Sequence, residues 1–258
     1  MVSVCFYFQV HQPPRLRKYS VFDIGRHNPY IDGHKNEAII KKVSHKSYLP
    51  ANKINLDLIN KTDGRFKVAY SMSGVVLEQL ERFAPEVIES FRELVNTGCV
   101  EILDETYHHT LSYLYSKEEF KEQVELHNKK IRQLFNYKPK VFRNTELVYN
   151  NEIAGFVEKM GYKGILAEGA DHILGWRSPN FVYKPKGLST IKLLLKNYRL
   201  SDDIAFRFSE RSWPEWPLTA SKFSQWISKI NGNGNVVNLF MDYETFGEHQ
   251  WEDKGIFE

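Results

Sequence analysis

Four short clusters in this 258-residue chain set acids, histidines and amides directly behind apolar runs. His11-Gln12-Pro13-Pro14 follows the first run; Asp104, Glu105, His108 and His109 follow a second; Arg143, Asn144 and Glu146 a third; and Asp242, Glu244, Glu248 and His249 a fourth. Two carboxyl groups facing each other across a cleft are the minimal apparatus for glycoside hydrolysis. One attacks the anomeric carbon or activates water, the other protonates the leaving oxygen, and a separation of about 5 Å means retention of configuration. Asp242 suits the acid: it abuts the apolar run 236–241, and the low-polarity surroundings expected there suit a general acid. Glu146 is open between two roles, because Asn144 beside it could equally cap a helix expected from about residue 151. Trp213-Pro214-Glu215-Trp216-Pro217 places two indoles in a loop, where they either stack on the flat faces of sugars or pack the loop onto the body.

These clusters share one rim only if the runs before them are parallel strands, since catalytic groups of such folds sit at the strands' C-terminal ends. Strands are expected at 2–10, 65–72, 99–103, around 141–142, and at 164–168, 181–183, 192–195, 204–208 and 236–241. Helices are expected at 49–60, 75–83, 85–96, 116–135, 151–160 and 220–230. Pro85 sits in a first turn, Gly98 just past a helix end, and Ser116 with Glu119 forms a capping box. Residues 11–50, with His27, His34 and His45, show little periodicity and read as a long excursion forming one wall of the site. Strands alternating with helices imply an α/β fold, a parallel sheet with crossover helices, and about seven such units favour a barrel over an open sheet.

Composition narrows the rest. With 35 Lys and Arg against 32 Asp and Glu, the net charge is +3 and no basic run forms an electrostatic footprint for nucleic acid. Apolar residues make up 42%, ordinary for a globular domain, and the 14% aromatic content supplies both core and possible stacking surfaces. No stretch approaches the roughly 20 apolar residues of a membrane helix. The first apolar run has no basic flank before it, so it reads as a strand, not a signal peptide, and the chain as cytoplasmic. Cys5 and Cys99 lie in apolar runs and form no disulfide scaffold. The nine histidines contain no His-x-x-x-His or His-Glu-x-x-His element, so no metal is expected. Gly232-x-Gly234 precedes a strand and lacks a third Gly, so no dinucleotide cofactor is expected either. Oligomeric state leaves no trace in the sequence.

In their order, the clusters resemble glycoside hydrolase family 57, and within it the archaeal α-amylase-like members. His11-Gln12-Pro13 is similar to the family's first conserved region, Gly98-Cys-Val-Glu101-Ile-Leu-Asp104 to its second, Phe142-Arg-Asn-Thr-Glu146 to its third, and Met241-Asp242-Tyr-Glu244-Thr-Phe-Gly247-Glu-His249 to its fourth. The resemblance implies an incomplete (β/α)7 barrel of the glycoside hydrolase/deacetylase type over residues 1–258. It implies a retaining α-amylase-type hydrolase of α-1,4-glucans or maltooligosaccharides, with Glu146 as nucleophile and Asp242 as acid/base. It further implies substrate contacts from His11, Gln12, Glu101, Asp104, Trp213, Glu244 and His249. The family's fifth region belongs to a C-terminal helical segment, which is expected to be absent from these 258 residues. A 4-α-glucanotransferase or branching enzyme shares the same chemistry. A non-catalytic glucan-binding fragment and a metal-dependent deacetylase or mannosidase are the readings of other classes.

Overall fold

A computed structural model describes residues 2–26, 29–188 and 190–257; His27 lies outside the described residues. Among the described residues seven parallel strands alternate with helices. They are β1 (Ser3–Val10), β2 (Val68–Met72), β3 (Val100–Leu103), β4 (Val141–Arg143), β5 (Gly164–Glu168), β6 (Lys192–Lys196) and β7 (Val236–Asp242). Two sheets result, in the orders β3-β2-β1-β7 and β4-β5-β6. They meet at two seams. At one, Asp104 bridges Phe142, with Asp104 N–H donating to Val141 O at 2.9 Å and Arg143 N–H to Asp104 O at 2.8 Å. At the other, the Asn238 side chain donates to Leu195 O and Asn197 N–H donates to Asn238 O, both at 2.9 Å. The architecture is the incomplete (β/α)7 barrel.

The strands' period of two sorts their side chains. Tyr7, Ala69, Leu103, Leu166 and Phe240 turn inward and fill the barrel, with Tyr7 and Phe240 edge to face at 5.2 Å. Phe8, Val10, Tyr70, Met72, Ile102, Leu239 and Met241 turn outward onto the helices. Register aligns Gln9 with Ser71 on one side and Asp242 on the other, so polar inward-facing residues come level at one rim.

The helices are α1 (Gly33–Val43), α2 (Leu49–Lys61), α3 (Gly74–Phe83), α4 (Pro85–Asn96), α5 (Lys117–Phe135), α6 (Asn151–Lys159), α7 (Asp171–Leu174), α8 (Tyr198–Ala205) and α9 (Ala220–Ser228). The capping box expected at α5 is half present: Ser116 Oγ accepts from Glu119 N–H. Three expectations are corrected. The excursion 11–50 is half helix: Asp32 caps α1, and Asn36, Ile40 and Val43 bury one stripe whose periodicity the polar Asn36 conceals. A π-helical turn, Ser44–Tyr48, then runs straight into α2. Residues 204–208 are not a strand but the end of α8 and the turn after it, because Asn197 caps that helix and Arg207 pairs with Asp203 one turn back. Residues 181–183 contribute only a bridge from Tyr183 to Leu193. Among the described residues no helix is long and apolar enough to cross a membrane.

Candidate active site

At the C-terminal rim a cavity of about 250 Å³ is floored by Tyr7 and Phe240 and walled by Gln9, Arg143, Glu146, Glu168, Lys196, Asp242 and His249. Both expected catalytic carboxyl groups line it. They come from different sheets, Glu146 from the turn after β4 and Asp242 from the end of β7.

Glu146 is held in a strained backbone. β4 ends at Arg143, a single 3-10 turn follows, and Glu146 and Leu147 take φ values of 54° and 56°. A left-handed conformation costs a non-glycine residue roughly 1–2 kcal/mol, and such strain concentrates at functional sites. Asn144 resolves the ambiguity left by the sequence: its Nδ2 donates to Val148 O at 2.9 Å and closes the turn, while α6 takes Asn150 as its cap. The Glu146 side chain is 70% exposed, so one face of its carboxylate is open to the cavity. His109 Nε2 lies 3.0 Å from Glu146 Oε1. That hydrogen bond, with the charge of Arg143 behind it, holds the Glu146 carboxyl below its ordinary range.

A buried layer supports His109. Its Nδ1 lies 3.0 Å from Glu105 Oε2, and Glu105 also accepts from Ser71 Oγ and from Gln9 Nε2 at 3.3 Å. Burial alone would raise the Glu105 carboxyl, but the His109 hydrogen bond and the Arg143 charge outweigh it and bring it to about 2. His11 stacks on His109 with ring centres 4.0 Å apart, and its Nδ1 meets Ser73 Oγ at 2.6 Å. Burial, and then the neighbouring His109, push the His11 imidazole down to about 4.

Asp242 is exposed at the cavity wall, so the apolar enclosure expected around it ends at Met241. His249 stands beside it in the wall. Glu244 turns away: it is buried against Tyr48 and Gln12, with Gln12 Nε2 donating at 2.9 Å. Burial pushes its carboxyl up to about 7 despite those donors. Gln12 is itself fixed by Arg15 at 2.7 Å, and its carbonyl by Gln79 at 2.7 Å.

Of the seven expected substrate contacts only His249 lines the cavity; His11, Gln12 and Glu244 pack behind its rim, and Glu101, Asp104 and Trp213 are held elsewhere. Glu101 pairs with Ala69 near the N-terminal end of β3, four residues before Glu105 and so roughly 13 Å back along the strand direction; it lines a separate pocket with Cys5, Cys99 and Tyr137. Asp104 is wholly buried on the outer side of the barrel wall, bonded to His127, Asn128 and Tyr162. Trp213 packs edge to face on Trp226 of α9, and Trp216 lines a different pocket beside Pro217 and Phe246. The polar cavity residues absent from the sequence reading include Gln9, Glu168 and Lys196; Ser71, also absent from it, lies in the buried layer behind, on Glu105. Glu168 and Lys196 obey the rule that picked out the other four clusters, a polar residue closing an apolar strand. Lys196 lies 3.6 Å from both Glu168 and Asp202. Among the described residues no group of three or more His, Cys, Asp or Glu side chains is arranged to hold a metal ion.

The family model described as "Glycosyl hydrolase family 57" matches residues 5–258. A Methanocaldococcus jannaschii protein named "Putative alpha-amylase" is 48% identical over 262 residues, spanning 99% of this chain and 54% of its own. An "Alpha-amylase" of Pyrococcus horikoshii is 26% identical over 148 residues, 57% of this chain and 22% of its own. The chain thus spans about half the length, or less, of these curated relatives. Among solved structures, a 4-alpha-glucanotransferase of Thermococcus litoralis superimposes with a TM-score of 0.74 at 19% identity, over 99% of this chain and 36% of that one, which shows the shared fold.

Proposed function

The chain belongs to glycosyl hydrolase family 57, and from that premise we propose that it is a retaining α-amylase-type hydrolase of α-1,4-glucans, with Glu146 as nucleophile and Asp242 as acid/base. The observation that carries this reading is the convergence of these two carboxyl groups, borne on two different sheets, upon one cavity at the C-terminal rim. The Glu146 carboxylate attacks the anomeric carbon. The glycosidic C–O bond breaks, and the leaving oxygen takes the proton held by Asp242. Water then gives a proton to Asp242, its oxygen bonds to the anomeric carbon, and Glu146 departs as a carboxylate. His249, in the cavity wall, and His11, stacked on His109, are assigned to the sugar hydroxyls. Gln12 and Glu244 are assigned to the support of that rim, and Asp104 to the support of the barrel wall. Cys5 and Cys99 are free thiols, which fits the cytoplasm as the compartment.

The test is hydrolysis of maltoheptaose by the full chain. Glu146→Gln is expected to lower the rate by three orders of magnitude or more, about 4 kcal/mol of barrier, and an unchanged rate would remove Glu146 from the nucleophile's role. Longer or branched glucans among the products would show transfer to a sugar hydroxyl in place of water. Binding in calorimetry without turnover would instead identify a non-catalytic glucan-binding unit. Turnover abolished by a chelator would favour metal-dependent chemistry.

A further inference from the structure

Glu105 is a wholly buried carboxylate beside the site, yet it does not line the cavity. Five groups face it. Ser71 Oγ and Gln9 Nε2 hold Oε1, while His109 Nδ1 at 3.0 Å and Arg143 Nη1 at 3.9 Å converge on Oε2; the charge of His127 also lowers its carboxyl from behind. A carboxylate so loaded accepts only, so His109 Nδ1 donates to it. The ring is also stacked on His11, and its backbone takes a left-handed φ of 55°. Its remaining nitrogen, Nε2, then points at Glu146 Oε1. No second hydrogen-bond partner of the Glu146 carboxylate is found among the described residues, which leaves Oε2 without a donor.

We propose that Glu105 and His109 are positioning residues for the nucleophile: Glu105 fixes the His109 ring, and His109 Nε2–H holds Oε1 of Glu146 so that Oε2 faces the anomeric carbon. This inference rests on Glu146 being the nucleophile. It also divides the reaction unevenly. In the glycosyl-enzyme, Oε1 is an ester carbonyl and a weak acceptor. As the bond from Oε2 to the anomeric carbon breaks under attack by water, negative charge returns to the carboxylate and the bond from His109 becomes charge-assisted again. The pair therefore accelerates the departure of Glu146 more than its attack.

The experiment uses the full chain and a 4-nitrophenyl maltooligoside, with Glu105→Gln and His109→Ala. Losing one charge-assisted hydrogen bond is expected to slow turnover roughly ten- to hundredfold. Nitrophenol should appear in a burst, and intact-protein mass spectrometry should show a glycosyl adduct that the unaltered protein does not accumulate. A slowed Glu105→Gln protein without burst or adduct would overturn the proposal. An unaltered protein without turnover would count against the functional reading instead.

A second measurement separates the two even then, by following the Glu146 carboxyl with ¹³C NMR in the resting protein. Removing the Glu105 charge acts directly on Glu146 by relieving repulsion, which would move its titration to lower pH. Acting through His109, the same change withdraws the donor and moves the titration to higher pH. The proposal requires the upward shift in Glu105→Gln, and a downward or absent shift refutes it.

Discussion

Replacing Asp104 with Asn separates a substrate contact from a structural one. The Asp104 carboxyl accepts from His127 Nδ1 at 2.5 Å, Asn128 Nδ2 at 2.9 Å and Tyr162 OH at 2.5 Å, and every atom of Asp104 and His127 is out of contact with solvent. His127 Nε2 is 2.7 Å from Met72 O, so both ring nitrogens face acceptors and both must donate. Burial opposes a charged ring, but the facing Asp104 overrides it and raises the His127 imidazole above its ordinary value. Breaking a buried pair by altering one partner costs about 3–5 kcal/mol. Asn keeps the volume and one acceptor oxygen, so the low end applies, about 3 kcal/mol, or roughly 6–12 °C in Tm for a chain of this size. Because the folded value is raised, the pair's contribution is complete below the unfolded value of about 6.5 and fades as pH rises through the folded one. Urea denaturation of both proteins at pH 6 and pH 9 measures this, and the cost should be larger at pH 6. A cost below about 1 kcal/mol at pH 6, or one that grows with pH, refutes the reasoning. A raised KM with unchanged stability would return Asp104 to the substrate.

Glu244→Gln should flatten the dependence of stability on pH. Burial pushes its folded carboxyl up to about 7 against about 4.3 unfolded, so its contribution is complete below about pH 4.3 and is lost as pH rises through about 7. Thermal melts at pH 4.5 and pH 8 report the slope, and an unaltered slope in Glu244→Gln would show that this carboxyl is not its source. Gly247→Ala should destabilise by about 2–4 kcal/mol, because Gly247 has φ 107° and an added Cβ would lie 1.9 Å from Lys46 O. A Tm within 2 °C of the parent, by differential scanning calorimetry, would contradict the crowding. Tyr162→Phe removes one donor to Asp104 and should cost about 1–3 kcal/mol, with little further loss when combined with Asp104→Asn in a double-mutant cycle. Full additivity would mean that the two do not share one network.

The strands were legible because their inward and outward faces alternate, or because whole runs such as 236–241 are apolar. The rim followed from one rule, that polar residues closing such runs lie at one end of the barrel. What stayed hidden was hidden by polar residues doing buried work. Asn36 interrupts the stripe of α1, and the apolar pattern of 204–208 reads as alternation although Asn197 and the Asp203–Arg207 pair make it helical. Within the site, Glu146 and Asp242 stand at the cavity. Asp104 and Glu105 show where sequence stops helping. Neighbours in one motif, they face opposite sides of the barrel wall, and only the register of β3 decides which of them points toward the chemistry. Trp213 shows the same for loops: a Trp-Pro-x-Trp-Pro segment looks equally suited to stacking or packing, and Trp226, thirteen positions on, decides for packing.

The two seams of the barrel bear on the chemistry from a distance. Each sheet is held by a continuous ladder, whereas among the described residues the hydrogen bonds between the sheets are a backbone bridge at Asp104 and, at Asn238, one side-chain and one backbone bond. Glu146 rides on one sheet and Asp242 on the other, so the gap between them is the opening of a pair of jaws whose hinges are these two contacts. The stereochemistry of bond cleavage depends on that opening to within a few ångströms. Asn238 and the Asp104 cluster, neither of which lines the cavity, are therefore the parts of the molecule that set its gauge.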